Sequence, residues 1–219
     1  MKYTTCASVA ADTPEGMRRD LELALESSKY AEIRLDYLDA SEVGPFLESV
    51  SSRMGRAILT LRSRKEGGRF GGTEAERIEL LEGAAAYSPF LLDVEYNTLL
   101  NNPGLRSRLN TGILASWHDL RGSPSAARLR RRMGDMGKYS DWVKMVVTAE
   151  AGYGAAAILS LYAHRGKVNL VAFAMGDAGR FTRLCSMHMG CPFMYVSLGD
   201  PVAPGQYSLE DARRLSGVM

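Results

Sequence analysis

Lys144 lies in the stretch DWVKMVVTAE (141–150), with Trp142, Val143, Met145, Val146 and Val147 around it. The stretch is short and rich in β-branched residues, the pattern of a buried strand. An ammonium in such a setting is costly unless it is paired or gives up its proton. Two readings answer that cost. A structural lysine would pair with an inward carboxylate. A catalytic lysine would attack a carbonyl, because the free amine is a nucleophile. The imine so formed, once protonated, withdraws electrons from the adjacent carbon and makes a C–H there acidic. His118 could take and return that proton near neutral pH. Other polar residues fall at the ends of apolar runs: Ser8, Glu32 with Arg34, Arg62 with Glu66 in the loop after it, Asp93 with Glu95, and Ser116 with His118. If they point inward, they form one polar pocket with the traits of an active site. Singly, each has a plainer reading: Glu32 and Arg34 as an ion pair, Asp93 and Glu95 as structural acids, His118 as a turn histidine.

The elements that would position these residues alternate. Strands are expected near 3–9, 31–36, 57–62, 89–95, 112–117, 141–147, 168–174 and 193–198. Helices are expected over 15–28, 42–54, 74–86, 97–108, 124–136, 152–164, 178–189 and 208–217. The segment 97–108 is the poorest helix, with Pro103 and Gly104 inside it. Ser208 followed by Asp211 is a helix start. Eight β–α units in 219 residues point to an α/β fold, a (β/α)8 barrel forming a single domain over 1–219. An open doubly wound sheet is the structural rival. In a barrel, alternate residues of each strand face inward and the site lies at the C-terminal strand ends.

Bulk composition narrows the partners. The formal net charge of +2 argues for neither nucleic acid nor a membrane surface. The basic run RLRRRMGDMGK (128–138) reads as a solvated helix face. Three cysteines, Cys6, Cys185 and Cys191, fit a reducing compartment. With no apolar segment of signal or membrane-span length, a soluble cytoplasmic protein is expected. Cys185, His188 and Cys191 sit close in CSMHMGC (185–191), but lack a fourth ligand and the spacing of a zinc site, so no metal is expected. The glycines of KEGGRFGG and EAGYGAAA lack the lysine–serine ending of a phosphate loop.

Six segments in order carry a resemblance that spans nearly the whole chain: EIRLD (32–36), LRSRKEGG (61–68), ASWHDL (115–120), VKMV (143–146), MGDAGRFTR (175–183) and APGQ (203–206). The chain resembles type I 3-dehydroquinate dehydratase, the Schiff-base enzyme of the shikimate pathway and a (β/α)8 barrel. The resemblance implies a small-molecule substrate, 3-dehydroquinate, dehydrated to 3-dehydroshikimate without metal or organic cofactor, by a homodimer. It implies that Lys144 forms the imine with the C3 ketone. His118 would be the general acid/base, and Glu66 the acid that holds it in place. Arg183 would bind the substrate carboxylate, for which a guanidinium fork is suited. Glu32, Arg34 and Arg62 match substrate-contacting positions, Gln206 a residue of the closing loop, and Ser8 a first-strand serine. The chain departs from the family pattern at Val202, where many members carry Ser or Thr. Thr182 stands where serine is common, and the hydroxyl survives. A class I aldolase barrel, also with a strand-six lysine, and a ligand-binding barrel without chemistry are the competing functions.

Overall fold

The first helix starts where the sequence says it should. The computed structural model describes residues 3–150 and 152–217. Strand β1 (Thr5–Val9) leads into helix α1 (Pro14–Ser27), whose N-cap Thr13 accepts a hydrogen bond from Gly16 N while Pro14 opens the first turn. At its other end Arg56 donates from Nη2 to the Leu25 and Ser28 carbonyls at 2.7 Å each, and from Nε to Lys29 O at 2.9 Å. Those carbonyls would otherwise be orphaned at the helix terminus. The order continues with β2 (Tyr30–Arg34), α2 (Ala40–Ser49), β3 (Ala57–Thr60), α3 (Glu74–Ala85) and β4 (Leu91–Glu95). Capping boxes begin α2 at Asp39 and Glu42 and α3 at Thr73 and Glu76.

After β4 the expected 97–108 helix is split. Helix α4 (Tyr96–Asn101) stops, Gly104 takes φ +88°, and α5 (Leu105–Arg108) begins afresh. Pro103 has no N–H to give a continuous helix, and the left-handed turn needs the glycine. Next come β5 (Ile113–Asp119), α6 (Ala126–Met136), β6 (Trp142–Thr148), α7 (Gly152–Leu159), β7 (Asn169–Met175), α8 (Thr182–His188) and β8 (Met194–Ser197). A two-residue strand that the hydrophobic pattern did not suggest, β9 (Tyr207–Ser208), precedes α9 (Leu209–Leu215). Ser208 caps α9 by accepting from Asp211 N at 3.0 Å.

Several strands are shorter than expected, and two of the early ends bear on the site. β2 gives way at Leu35 to a 3₁₀ turn, Leu35–Tyr37. β3 stops at Thr60, and the Arg62 carbonyl accepts from Phe70 N (3.2 Å), so the backbone there pairs with its own loop.

The chain divides into two compact units, Cys6–Leu114 and, with the first residues through Thr5, Ala115–Met219. In the first unit β1, β2, β3 and β4 pair in parallel, with Ser8 opposite Glu32 and Arg34 opposite Thr60. In the second, β6 pairs in parallel with β7 over seven positions and β8 with β9 over two. β1, β3 and β4 are buried at every position, as parallel strands covered on both faces are. The run of eight β–α units, parallel in every pair described, is that of the (β/α)8 barrel class of α/β folds.

Candidate active site

In the first unit the polar residues form a buried ionic cluster. Ser8 Oγ donates to Glu32 Oε2 at 3.0 Å and Thr60 Oγ1 to Glu32 Oε1 at 3.2 Å. Arg34 makes a fork to Asp36, Nε to Oδ1 at 2.8 Å and Nη2 to Oδ2 at 2.7 Å. Asp36 Oδ2 also accepts from Arg69 N at 2.9 Å. Thus Glu32 and Arg34, neighbours on one strand face, spend their hydrogen bonds on other partners. Arg62 Nη2 donates to Asp93 Oδ2 at 2.6 Å, and its Nη1 lies 3.5 Å from Glu66 Oε2 and 3.6 Å from Glu95 Oε1. Burial works to lower the Arg62 pKa, but Asp93, Glu66, Glu95 and Glu32 outweigh it and hold the guanidinium well above its ordinary value. Arg34 is raised in the same way: burial opposes, and the bond to Asp36 and the charge of Glu32 prevail.

The loop after β3 carries Glu66. It folds back so tightly that a Cβ on Gly68 would collide with the Arg62 carbonyl. Gly68 N donates to Ser63 O at 2.8 Å and Arg64 N to Phe70 O at 3.3 Å. Glu95, at the end of β4, anchors the loop by accepting from Ser63 N at 2.8 Å and Ser63 Oγ at 2.9 Å.

The second unit holds Lys144, His118, Arg183 and Gln206. Lys144 is 5% exposed, and its Nζ lies 4.1 Å from the centre of the Tyr195 ring. That ring meets Phe193 edge-on at 5.4 Å, and Phe193 stacks at 6.1 Å on Trp142, which shares a strand face with Lys144. The ring face lies at cation–π distance from the lysine nitrogen. His118 is half-buried near the end of β5, on the face of the fully buried Ser116. Arg183 is buried, with its guanidinium carbon 4.0 Å above the Phe173 ring and Nη2 donating to Pro204 O at 3.2 Å. Thr182 sets Arg183 in place: its hydroxyl accepts from Ala174 N at 2.8 Å and donates to Gly179 O at 2.6 Å, tying α8 to the end of β7. Gln206 Oε1 accepts from Val202 N at 3.0 Å, so the loop before β9 closes on itself.

The structure therefore joins Ser8 with Glu32 and Arg62 with Glu66, and pairs Arg34 with Asp36. Tyr195, Asp36 and Arg77 have roles the sequence did not single out. Asp36 stands inside EIRLD and Tyr195 alternates with Ser197 on β8, so each had a signal; Arg77, in an ordinary-looking helix, had none. Two of the three residues weighed as metal ligands make other contacts. His188 Nε2 hydrogen-bonds Tyr3 Oη at 2.7 Å, and Cys191 Sγ donates to Phe193 O at 3.2 Å, its thiol pKa pushed up by burial. In the basic run, Arg132 lies 4.4 Å over the Trp117 ring and Lys138 pairs with Asp135 at 2.7 Å.

The chain is similar in sequence and in fold to known proteins. A 3-dehydroquinate dehydratase of Pyrobaculum aerophilum is 36% identical over 195 residues, covering 88% of this chain and 64% of that longer protein. One from Thermococcus gammatolerans is 37% identical over 187 residues, 84% of each chain. In fold, the crystal structure of 3-dehydroquinate dehydratase from Geobacillus kaustophilus superposes with a TM-score of 0.90 at 22% identity, over 100% of this chain and 91% of that one. The model of the type I 3-dehydroquinase family matches residues 5–219. With the family pattern running through both units and relatives well above 30% identical, this chain belongs to the type I 3-dehydroquinase family.

Proposed function

We propose that the chain is a hydro-lyase that converts 3-dehydroquinate to 3-dehydroshikimate through an imine on Lys144, as a step of aromatic amino acid biosynthesis. The observation that carries this reading is Lys144 itself, buried on β6 with its Nζ against an aromatic face, in a chain of this family. Nζ adds to the C3 ketone, and the carbonyl oxygen leaves as water. The protonated imine acidifies C2. His118 removes the C2 proton, and the bonding pair moves to nitrogen as an enamine. That pair then expels the C1 hydroxyl, which His118 protonates, so a second water departs. Hydrolysis of the imine takes up one water to restore the C3 ketone and free the lysine, so one water is lost overall.

Glu66 supports the acid–base step as the third catalytic residue. Charge supports the remaining assignments. The cluster of the first unit sets Glu32, Asp36, Glu66, Asp93 and Glu95 against Arg34, Arg62 and Arg77, five carboxylates to three guanidinium groups. An excess of acids suits hydroxyl groups, and here Ser8, Glu32, Arg34 and Arg62 bind the substrate ring. Arg183, lying on an aromatic ring, suits the substrate carboxylate, and Gln206 closes over it. We extend the reading to a single catalytic domain spanning 1–219 that works as a homodimer in the cytoplasm; sedimentation of the purified protein tests the dimer.

A direct absorbance assay for the conjugated enone decides the function. Steady formation of enone from 3-dehydroquinate is expected, and its absence with folded protein would return the aldolase and binding-barrel readings. Val202 offers no hydroxyl at the position where the family resemblance implies Ser or Thr. Val202→Thr should lower KM about fivefold, the worth of one added hydrogen bond of ~1 kcal/mol, with kcat unchanged in steady-state kinetics.

A further inference from the structure

The loop that carries Glu66 borders a cleft. The cleft has a volume of about 290 Å³ and is lined among others by Ser63, Glu66, Phe70, Arg77, Glu95 and Asn101. A loop beside such a space can move by an ångström or more unless polar contacts hold it. Asp36 holds the far side of the loop at Arg69 N, and Glu95 holds the near side at Ser63. Both of its oxygens are engaged by Ser63, through the backbone N–H at 2.8 Å and the hydroxyl at 2.9 Å. Behind it stands Arg77, a helix residue that is 2% exposed, with Nη2 3.3 Å from Glu95 Oε2. Arg77 is itself fixed by a fork to Glu74, at 3.0 and 2.9 Å, and by Thr98, whose hydroxyl donates to Glu74 Oε1 at 2.6 Å.

A buried guanidinium that reaches a carboxylate beside a loop is expensive to desolvate, and packing alone gives no reason for it. We propose that Glu95, backed by Arg77, is a positioning residue. It fixes Ser63 and so sets where Glu66, three residues on, presents its carboxylate. Arg62 depends on it less, because Asp93 holds that guanidinium at 2.6 Å against 3.6 Å for Glu95. The inference rests on the catalytic role proposed above for Glu66.

The two residues should therefore be coupled in catalysis, and Glu95 should act on kcat rather than on KM. Glu95→Gln is expected to lower kcat roughly 30-fold, the scale of a misplacement of about an ångström, while KM stays within about threefold. In a Glu66→Gln background the same change should lower kcat less than about twofold, because nothing remains to position. An equal loss of kcat in both backgrounds, or a loss confined to KM, would overturn the proposal. Should Glu95→Gln fail to fold, Ser63→Ala removes a single bond to Glu95 and should show the same dependence on Glu66 at about fivefold. Wild-type enone formation is measured alongside. Its absence defeats the proposed reaction, whereas additive losses in an active enzyme defeat the positioning role alone.

Discussion

Lys144→Met should abolish turnover of 3-dehydroquinate, with kcat lower by at least about 10⁴-fold. Methionine keeps the volume of the side chain and removes the amine, so the aromatic row of Trp142, Phe193 and Tyr195 stays packed. The thermal midpoint should move by a few degrees at most. The covalent step can be read separately. Borohydride added with substrate should leave the reduced adduct on Lys144 of the wild type, visible by peptide mass, and none on the variant. A wild-type enzyme that turns over substrate under borohydride and carries no adduct on Lys144 would remove the imine from the mechanism.

His118→Ala should separate the covalent step from the proton transfers. Turnover is expected to fall roughly 10³-fold, within the range for loss of a general acid–base group. Borohydride should still trap the adduct on Lys144, more slowly, because the amine survives and only its proton carrier is gone. His118 is half-buried at a strand end, so its truncation opens no cavity in the apolar core and stability should change little. Unimpaired turnover would take His118 out of the chemistry and leave it as a structural turn residue.

Much of this site was legible in the sequence because strands impose a period of two. The alternation in DWVKMVV placed Lys144 and Trp142 on one face, and the structure puts both in one aromatic neighbourhood. Period alone does not choose partners across strands. Glu32 and Arg34 looked like a pair, yet Glu32 bonds Ser8 and Thr60 while Arg34 bonds Asp36. Register and turn geometry decide that choice, and neither is written in a single segment. Strand ends were blurred for a related reason. Arg62 follows β3 without a break in apolar character, but its carbonyl is taken by Phe70 of its own loop. Arg77 was illegible because one charged residue of a capped helix looks like any other; its burial comes from Glu95, eighteen positions away.

The ionic cluster also governs how such a chain can change. Glu32, Asp36, Arg62, Glu66, Arg77, Asp93 and Glu95 are all less than 10% exposed. Removing one member of a buried pair strands its partner, at a cost of about 3–5 kcal/mol. Substitution by single steps therefore runs uphill, toward the stability limit of an ordinary domain. The open mutational route runs through paired replacements, a carboxylate and its arginine lost or exchanged together. Such residues drift as blocks, and the half of the molecule that holds them has fewer evolutionary paths than its apolar strands do.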